Sequence, residues 1–193
     1  MTTSTPSARR SRARGFTLVE VLIAATLSTF VLAAVLSSFL FLSRTGFRAS
    51  AYSEMESEMR RGLETVSRDI RNASDVRWNS SQSITLTVNG APVTYAYDGD
   101  AASATYRSFY RASGDAGSAQ PRTVLIRSLE PDFTFRRYKV VQPEVSDNTA
   151  TNDAETKQLQ LVLRASRTNI ATAGASNSVV SSRYVLRNKQ VAN

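Results

Sequence analysis

Residues 14–20 read Arg14-Gly15-Phe16-Thr17-Leu18-Val19-Glu20, and residues 21–42 continue as VLIAATLSTFVLAAVLSSFLFL. From Phe16 to Leu42 the run is 27 residues long and carries one charge, Glu20. As a helix at ~1.5 Å per residue it spans about 40 Å, enough to cross a ~30 Å hydrocarbon core with some tilt. A secretory signal, with an apolar region of roughly 7–15 residues, is too short to account for it. Arg9, Arg10, Arg12 and Arg14 precede the run, and Arg44 and Arg48 follow it. The positive-inside rule therefore places residues 1–14 in the cytoplasm and the bulk of the chain outside the inner membrane. Glu20 is the anomaly, because an unpaired carboxylate inside such a run costs several kcal/mol. Its place near the helix start, where the macrodipole favours a negative charge, and its shallow depth offset part of that cost.

Outward from this segment, the composition narrows the chemistry. The chain has 193 residues with 24 basic and 16 acidic side chains, and half of its net charge of +8 lies in residues 1–15. The rest does not carry the clustered basic motif of a nucleic-acid binder. Apolar residues make up 41% and charged residues 21%, which is globular rather than disordered. Cys and His are both absent. Disulfides, Cys/His metal sites, Cys nucleophiles and His-based triads are thereby excluded. Ser-x-x-Lys and Gly-x-Ser-x-Gly do not occur, and the eight glycines are dispersed rather than gathered into a phosphate loop.

Arg14-Gly15-Phe16-Thr17-Leu18-Val19-Glu20, behind a short basic leader and ahead of an apolar helix, resembles the type IV prepilin processing signal. In that family a membrane peptidase cuts after the Gly on the cytoplasmic face and N-methylates the new first residue. The resemblance implies a cut between Gly15 and Phe16, methylation of Phe16, and an assembly role for Glu20, which would pair with the Phe16 amine of a neighbouring subunit and set register. Glycine at the cut leaves the backbone open to close approach. Major pilins commonly carry a proline midway along this helix; here Ser37 stands in the corresponding place, and no Pro occurs from Phe16 to Val88. The plainer alternative is a single-pass anchor with an accidental Glu.

The helical pattern does not stop at Leu42. Tyr52, Met55, Met59, Leu63, Val66, Ile70 and Ala73 recur at spacings of three and four, one face of a helix. Glu56/Arg60 and Glu64/Arg68 fall on the other face at i,i+4. Beyond Asn72 the period changes to two. Ile84-Leu86-Val88 and Val93-Tyr95-Tyr97 flank Asn89-Gly90, a hairpin signal. Further strands are expected at 104–110, 123–129, 133–141, 158–165 and 179–187. The fold expected is α+β: a long N-terminal α-helix, transmembrane in its first half and amphipathic in its second, packed on an antiparallel β-sheet head in the manner of a pilin. The expected divisions are a cleaved leader 1–15, a transmembrane or filament-core helix 16–42, an amphipathic extension 43–75 and a β-rich head 76–193. The strand order also resembles PilW-type minor pilins and J-type minor pseudopilins of type II secretion, through Val93-Thr94-Tyr95, the Arg107–Arg111 strand, Val124–Leu129 with Phe133-Thr134-Phe135, and Tyr184-Val185-Leu186-Arg187-Asn188.

The expected function is that of a minor pilin or pseudopilin-like structural subunit of a type IV pilus or type II secretion pseudopilus. Such a subunit is not an enzyme and needs no cofactor and no metal. The partners implied are prepilin peptidase, other pilin or pseudopilin subunits, and inner-membrane lipid before assembly, with nucleic acid not expected. The head would lie outside the cytoplasm and pass into a pilus or periplasmic pseudopilus. The rival readings are a tip adhesin or DNA-uptake pilin, an enzyme on a prepilin-like anchor, and an unprocessed anchor. Four groups in the head could serve a ligand: the basic stripe Arg136, Arg137 and Lys139 between Phe135 and Tyr138; Trp78; the carboxylates Glu130 and Asp132; and Asp147, Asn148, Asn152, Asp153 and Glu155 as oxygen ligands for calcium. For each the bland reading is a surface strand, a packed junction, a turn cap and a solvated loop, respectively.

Overall fold

The computed structural model describes residues 15–140, 147–169 and 174–190, with the backbone alone for Arg48, 167–169 and 174–177. The leader arginines, residue 141 of the strand expected at 133–141 and residues 143–146 of the loop expected at 143–156 lie outside the described residues. The chain divides into two compact units, Met1–Thr45 and Gly46–Asn193. Helix α1 (Leu18–Asn72) contributes to both. Eight strands follow: β1 (Ala73–Ser80), β2 (Ser83–Val88), β3 (Ala91–Asp98), β4 (Ser108–Ser113), β5 (Arg122–Ile126), β6 (Thr134–Tyr138), β7 (Gln158–Asn169) and β8 (Gly174–Val185). One sheet has the order β1-β2-β3-β4-β5 and the other β6-β7-β8, all neighbours antiparallel. The α+β architecture, one long N-terminal helix followed by antiparallel sheets in a pilin-like arrangement, is the one expected.

In the first unit the helix buries none of its apolar window. Leu18 is 77% exposed and Phe30 82%. The hydroxyls in this stretch return to their own helix: Thr26 Oγ1 donates to the carbonyls of Leu22 (3.1 Å) and Ile23 (2.9 Å), and Ser38 Oγ to that of Ala34 (3.0 Å). Such back-bonding lets polar side chains sit in an apolar medium without orphaned donors.

In the second unit the helical stripe packs as its spacing requires. Met55, Met59, Val66 and Ile70 are buried, and Ile84, Leu86, Tyr95, Phe109, Ile126, Phe133, Phe135 and Leu159 close the core with them. Tyr52, the expected start of the stripe, is 45% exposed. Gly62 marks the closest approach of helix and sheet: a Cβ there would lie 2.7 Å from Ile126 Cγ1. The exposed ion pair joins Arg60 to Glu64 at 3.6 Å, in place of the expected Glu56/Arg60, while Arg68 lies 3.9 Å from Asp69.

The Asn89-Gly90 hairpin forms with both residues at positive φ (52° and 79°), as a type I′ turn requires. Three strand expectations shift for identifiable reasons. β1 was not expected, because ASDVRWNS buries only Ala73 and Val76 and shows no period of two. It begins at Ala73, inside the span assigned to the helical extension. The strand expected at 104–110 starts at Ser108, because the Asp98 carboxylate gathers the preceding loop. It accepts hydrogen bonds from Ser103 Oγ (2.5 Å), Thr105 Oγ1 (2.5 Å) and Arg122 Nη1 (2.6 Å), and Arg107 turns the chain at φ 56°. The strand expected at 123–129 ends at Ile126. Ser128 lies at φ 57°, and Leu129 crosses to bridge Ala165 of the other sheet.

The Asp98 knot makes the head sensitive to acid. Burial alone would raise this carboxyl, but the hydroxyls of Ser103 and Thr105, the Asp100 N–H and the Arg122 charge outweigh it and hold it below its ordinary 3.8. A depressed folded value stabilises the native state above the unfolded pKa, and the contribution is lost as pH falls through the folded one. The urea midpoint of the full chain in detergent should therefore fall as pH drops below about 4, and Asp98→Asn should flatten part of that acid limb. An acid limb identical in Asp98→Asn would remove Asp98 as its source.

Candidate processing and assembly site

The site is built on the start of α1. Gly15, Phe16 and Thr17 are outside the helix and exposed, Phe16 by 85%. The first helical bond runs from Val21 N–H to Thr17 O at 3.2 Å, so Thr17 is the N-cap. Its hydroxyl accepts the Glu20 N–H at 3.2 Å, and Glu20 Oε2 accepts the Thr17 N–H at 3.1 Å and hydroxyl at 3.3 Å. This is a capping box, Thr-x-x-Glu, in which two otherwise orphaned donors are satisfied reciprocally. The N-cap contribution is about 1 kcal/mol.

The box changes the reading of Glu20. Its carboxylate has a partner within its own chain, which lowers the cost of holding it at the head of an apolar helix. Among the described residues no donor reaches the other oxygen, Oε1. Sequence reading had credited Glu20 with the helix dipole and missed Thr17, although Thr17-Leu18-Val19-Glu20 carries the capping signal. The box also shares no atom with the Gly15–Phe16 bond, so breaking that bond leaves the cap whole.

Gly15 is not explained by the described residues. Among them a Cβ at this position would meet nothing within 4 Å. No packing contact there asks for glycine.

The other candidate groups are committed within the head. Arg137 pairs with Asp153 at 2.8 Å and lies over the Trp78 ring at 5.0 Å; Lys139 pairs with Glu155 at 3.7 Å. Phe135 is buried in the core, and Tyr138 lies under Arg183 at 3.8 Å. The basic stripe is thus largely neutralised in place, with Arg136 alone exposed and outside these contacts. Trp78 is half-buried against the core, and its backbone N–H donates to Asp153 Oδ2 at 3.1 Å. Glu130 pairs with Arg107 at 2.7 Å, and Asp132 pairs with Arg164. These two carboxylates are parted between two arginines. Asp147 Oδ1 accepts the Thr149 N–H at 2.9 Å, and Glu155 Oε1 accepts the Thr151 hydroxyl at 2.7 Å. The Thr151 hydroxyl and N–H hold Glu155 down at about 2. Among the described residues no three Asp or Glu side chains gather as a metal cluster.

Two polar residues that sequence reading passed over prove central to the head. Asp69 of α1 accepts from Tyr95 OH at 2.6 Å and Arg111 Nε at 3.0 Å. Lys189, 3% exposed, donates to Asp75 Oδ1 at 2.7 Å and to the Asp153 carbonyl at 2.5 Å, which ties the C-terminal segment to β1 and to the 147–157 loop.

Residues 10–36 match the model of the prokaryotic N-terminal methylation motif. No curated protein matches the chain. The matched span contains Gly15, Phe16, the Thr17–Glu20 cap and the first part of the exposed apolar helix. Such a motif implies processing by prepilin peptidase and assembly with other pilin subunits. This motif, ahead of a helix-then-sheets fold, marks the chain as similar to type IV prepilin-like proteins.

Proposed function

We propose that the chain is a minor pilin or pseudopilin-like subunit, cut between Gly15 and Phe16, methylated on Phe16, and assembled into a type IV pilus or a secretion pseudopilus through its N-terminal helix. Its work is assembly, not catalysis. The observation that carries this reading is the start of α1: an exposed non-helical Gly15–Thr17 segment directly before a capped helix whose apolar window is wholly unburied. A protease needs backbone that is accessible and outside a helix, and the segment supplies it. The glycine makes no packing contact among the described residues, so its role is sought in the enzyme that reads it. The uncovered helix needs lipid first and neighbouring helices afterwards. Glu20 keeps Oε1 available for the amine that cleavage creates at Phe16 of a neighbour, and this contact would set axial register.

The head supports a structural role over a ligand-binding one. Arg137 and Lys139, which a DNA-binding tip would use, are held by Asp153 and Glu155. The test is the intact mass and first residue of the protein from its native membrane. A chain beginning at Phe16, with or without one methyl group, is the expected result. A chain still beginning near Met1 in cells with active prepilin peptidase would sink the processing reading and leave a single-pass anchored head.

A further inference from the structure

Four sheet edges face outward in the head, and three of them are closed. β1 breaks register at Ala73/Asp75 and Trp78/Ser80, and its Trp78 N–H is taken by Asp153. β5 has five residues, follows Pro121, and the next N–H, of Arg127, is taken by Glu58 at 3.1 Å. β6 has five residues and is covered by the 147–157 segment, through the Tyr138–Thr149 bridge and the Lys139 N–H to Asn148 O bond at 2.8 Å. These are the usual protections of an edge: shortness, bulges and cover.

β8 has none of them. It runs twelve residues in unbroken register with β7 and contains neither Pro nor Lys. Leu186 N–H bonds to Lys157 O at 2.9 Å, one step beyond the Gln158–Val185 pair. Antiparallel alternation then turns the N–H and C=O of Val185, Arg183, Ser181 and Val179 away from β7. Among the described residues no hydrogen bond reaches these outward groups. Val179 is 67% exposed and Val185 42%.

Beside this strand lies a cleft of about 770 Å³ between β8 and α1, with Met59, Leu63, Val180 and Tyr184 among its apolar lining. Its charged lining holds Arg60, Arg68 and Arg71 against Glu56 and Glu64. Arg183 and Arg187 add positive charge along β8 and just past its end.

We propose that the outer edge of β8 is a strand-addition site for an extended, acidic segment of a different protein chain. The added strand extends β6-β7-β8 to four strands, lays apolar side chains into the cleft, and sets carboxylates against the surplus arginines. The site belongs to the head and holds whether or not the chain is cut after Gly15.

The test uses the full chain in detergent micelles and a synthetic nine-residue peptide alternating Val with Glu and Thr. Bound peptide should slow hydrogen exchange at the amides of Val179, Ser181, Arg183 and Val185. Ser181→Pro removes one outward N–H and spares the β7 ladder, since proline is tolerated on the solvent side of an edge strand. It should weaken binding by about tenfold or more, as should N-methylation of the peptide's edge-facing amides. The second arm does not depend on any variant of the protein folding. Unchanged exchange at the four amides with millimolar peptide overturns the site. Equal binding to Ser181→Pro or by the N-methylated peptide overturns the edge as its location. Equal binding by a peptide with Lys in place of Glu overturns the acidic partner. Dimerisation of the chain alone that is abolished by Ser181→Pro assigns the edge to a second copy and overturns the foreign one.

Discussion

Gly15→Val should leave the chain uncut at its full 21.1 kDa, while Glu20→Ala should be cut at the normal position but stay out of the filament. The two variants separate steps that a single loss of function would merge. A Cβ at position 15 meets no atom of the described residues, so the precursor should fold and insert as before. What changes is the approach of another backbone to the Gly15–Phe16 bond, which a branched Cβ obstructs. Glu20→Ala acts later. It removes the capping carboxylate, a loss of about 1 kcal/mol that a long apolar helix in lipid tolerates. It also removes the acceptor proposed for a neighbour's Phe16 amine. Breaking a buried pair from one side costs about 3–5 kcal/mol, a hundredfold or more in incorporation at each subunit. Thr17→Val isolates the cap, since it deletes the hydroxyl but keeps the N–H and the carboxylate. It should reduce assembly far less than Glu20→Ala. The measurement is intact mass of the membrane fraction together with recovery in sheared filaments. A Gly15→Val chain that begins at Phe16, or Glu20→Ala recovered at the wild-type level, would refute the corresponding role.

The parts of this molecule that were legible in its sequence are those coded by neighbours along the chain. The apolar helix over residues 18–42, the helical stripe from Met55 to Ile70 and the Asn89-Gly90 turn each depend on a period or a dipeptide, and each forms. The capping box is equally local, since Thr17 and Glu20 stand three residues apart. What was not legible depends on residues far apart. β1 is a strand because β2 pairs with it and Lys189 holds Asp75 from 114 residues away, not because ASDVRWNS alternates. Residues 104–107 read as the start of a strand by composition, since Ala104, Tyr106 and Arg107 fit a pleat, but Asp98 draws Ser103 and Thr105 into a knot with Arg122. The same distance effect removed the candidate ligand sites. Arg137 and Asp153 looked like members of two separate sites, one for DNA and one for calcium, and the fold pairs them with each other.

Asp69→Ala should destabilise the head by about 3–5 kcal/mol, a large part of the 5–15 kcal/mol that holds a domain of this kind together. Asp69 is 7% exposed and Tyr95 is fully buried, so neither group falls back on water when the other is lost. Burial first, and then the neighbouring carboxylate, push the Tyr95 phenol well up from its ordinary 10, which keeps it protonated and donating at any working pH. Alanine at 69 would strand that donor in the core and take from Arg111 the carboxylate at 3.0 Å. Tyr95→Phe is the contrasting variant: Asp69 keeps Arg111, and the loss is nearer 1 kcal/mol. Asp69→Asn falls between, because its carbonyl still accepts from Tyr95 while the charge opposite Arg111 is gone. Urea unfolding of the full chain in detergent would rank the three, with Trp78 as the only tryptophan and a reporter at the junction of β1 and the 147–157 loop. Asp69→Ala within 1 kcal/mol of the parent would show that the apolar stripe alone docks the helix. The expected ranking would mean instead that the helix is held at one angular setting on the sheet, because a stripe of methionines and valines tolerates rotation and a carboxylate between a phenol and a guanidinium does not.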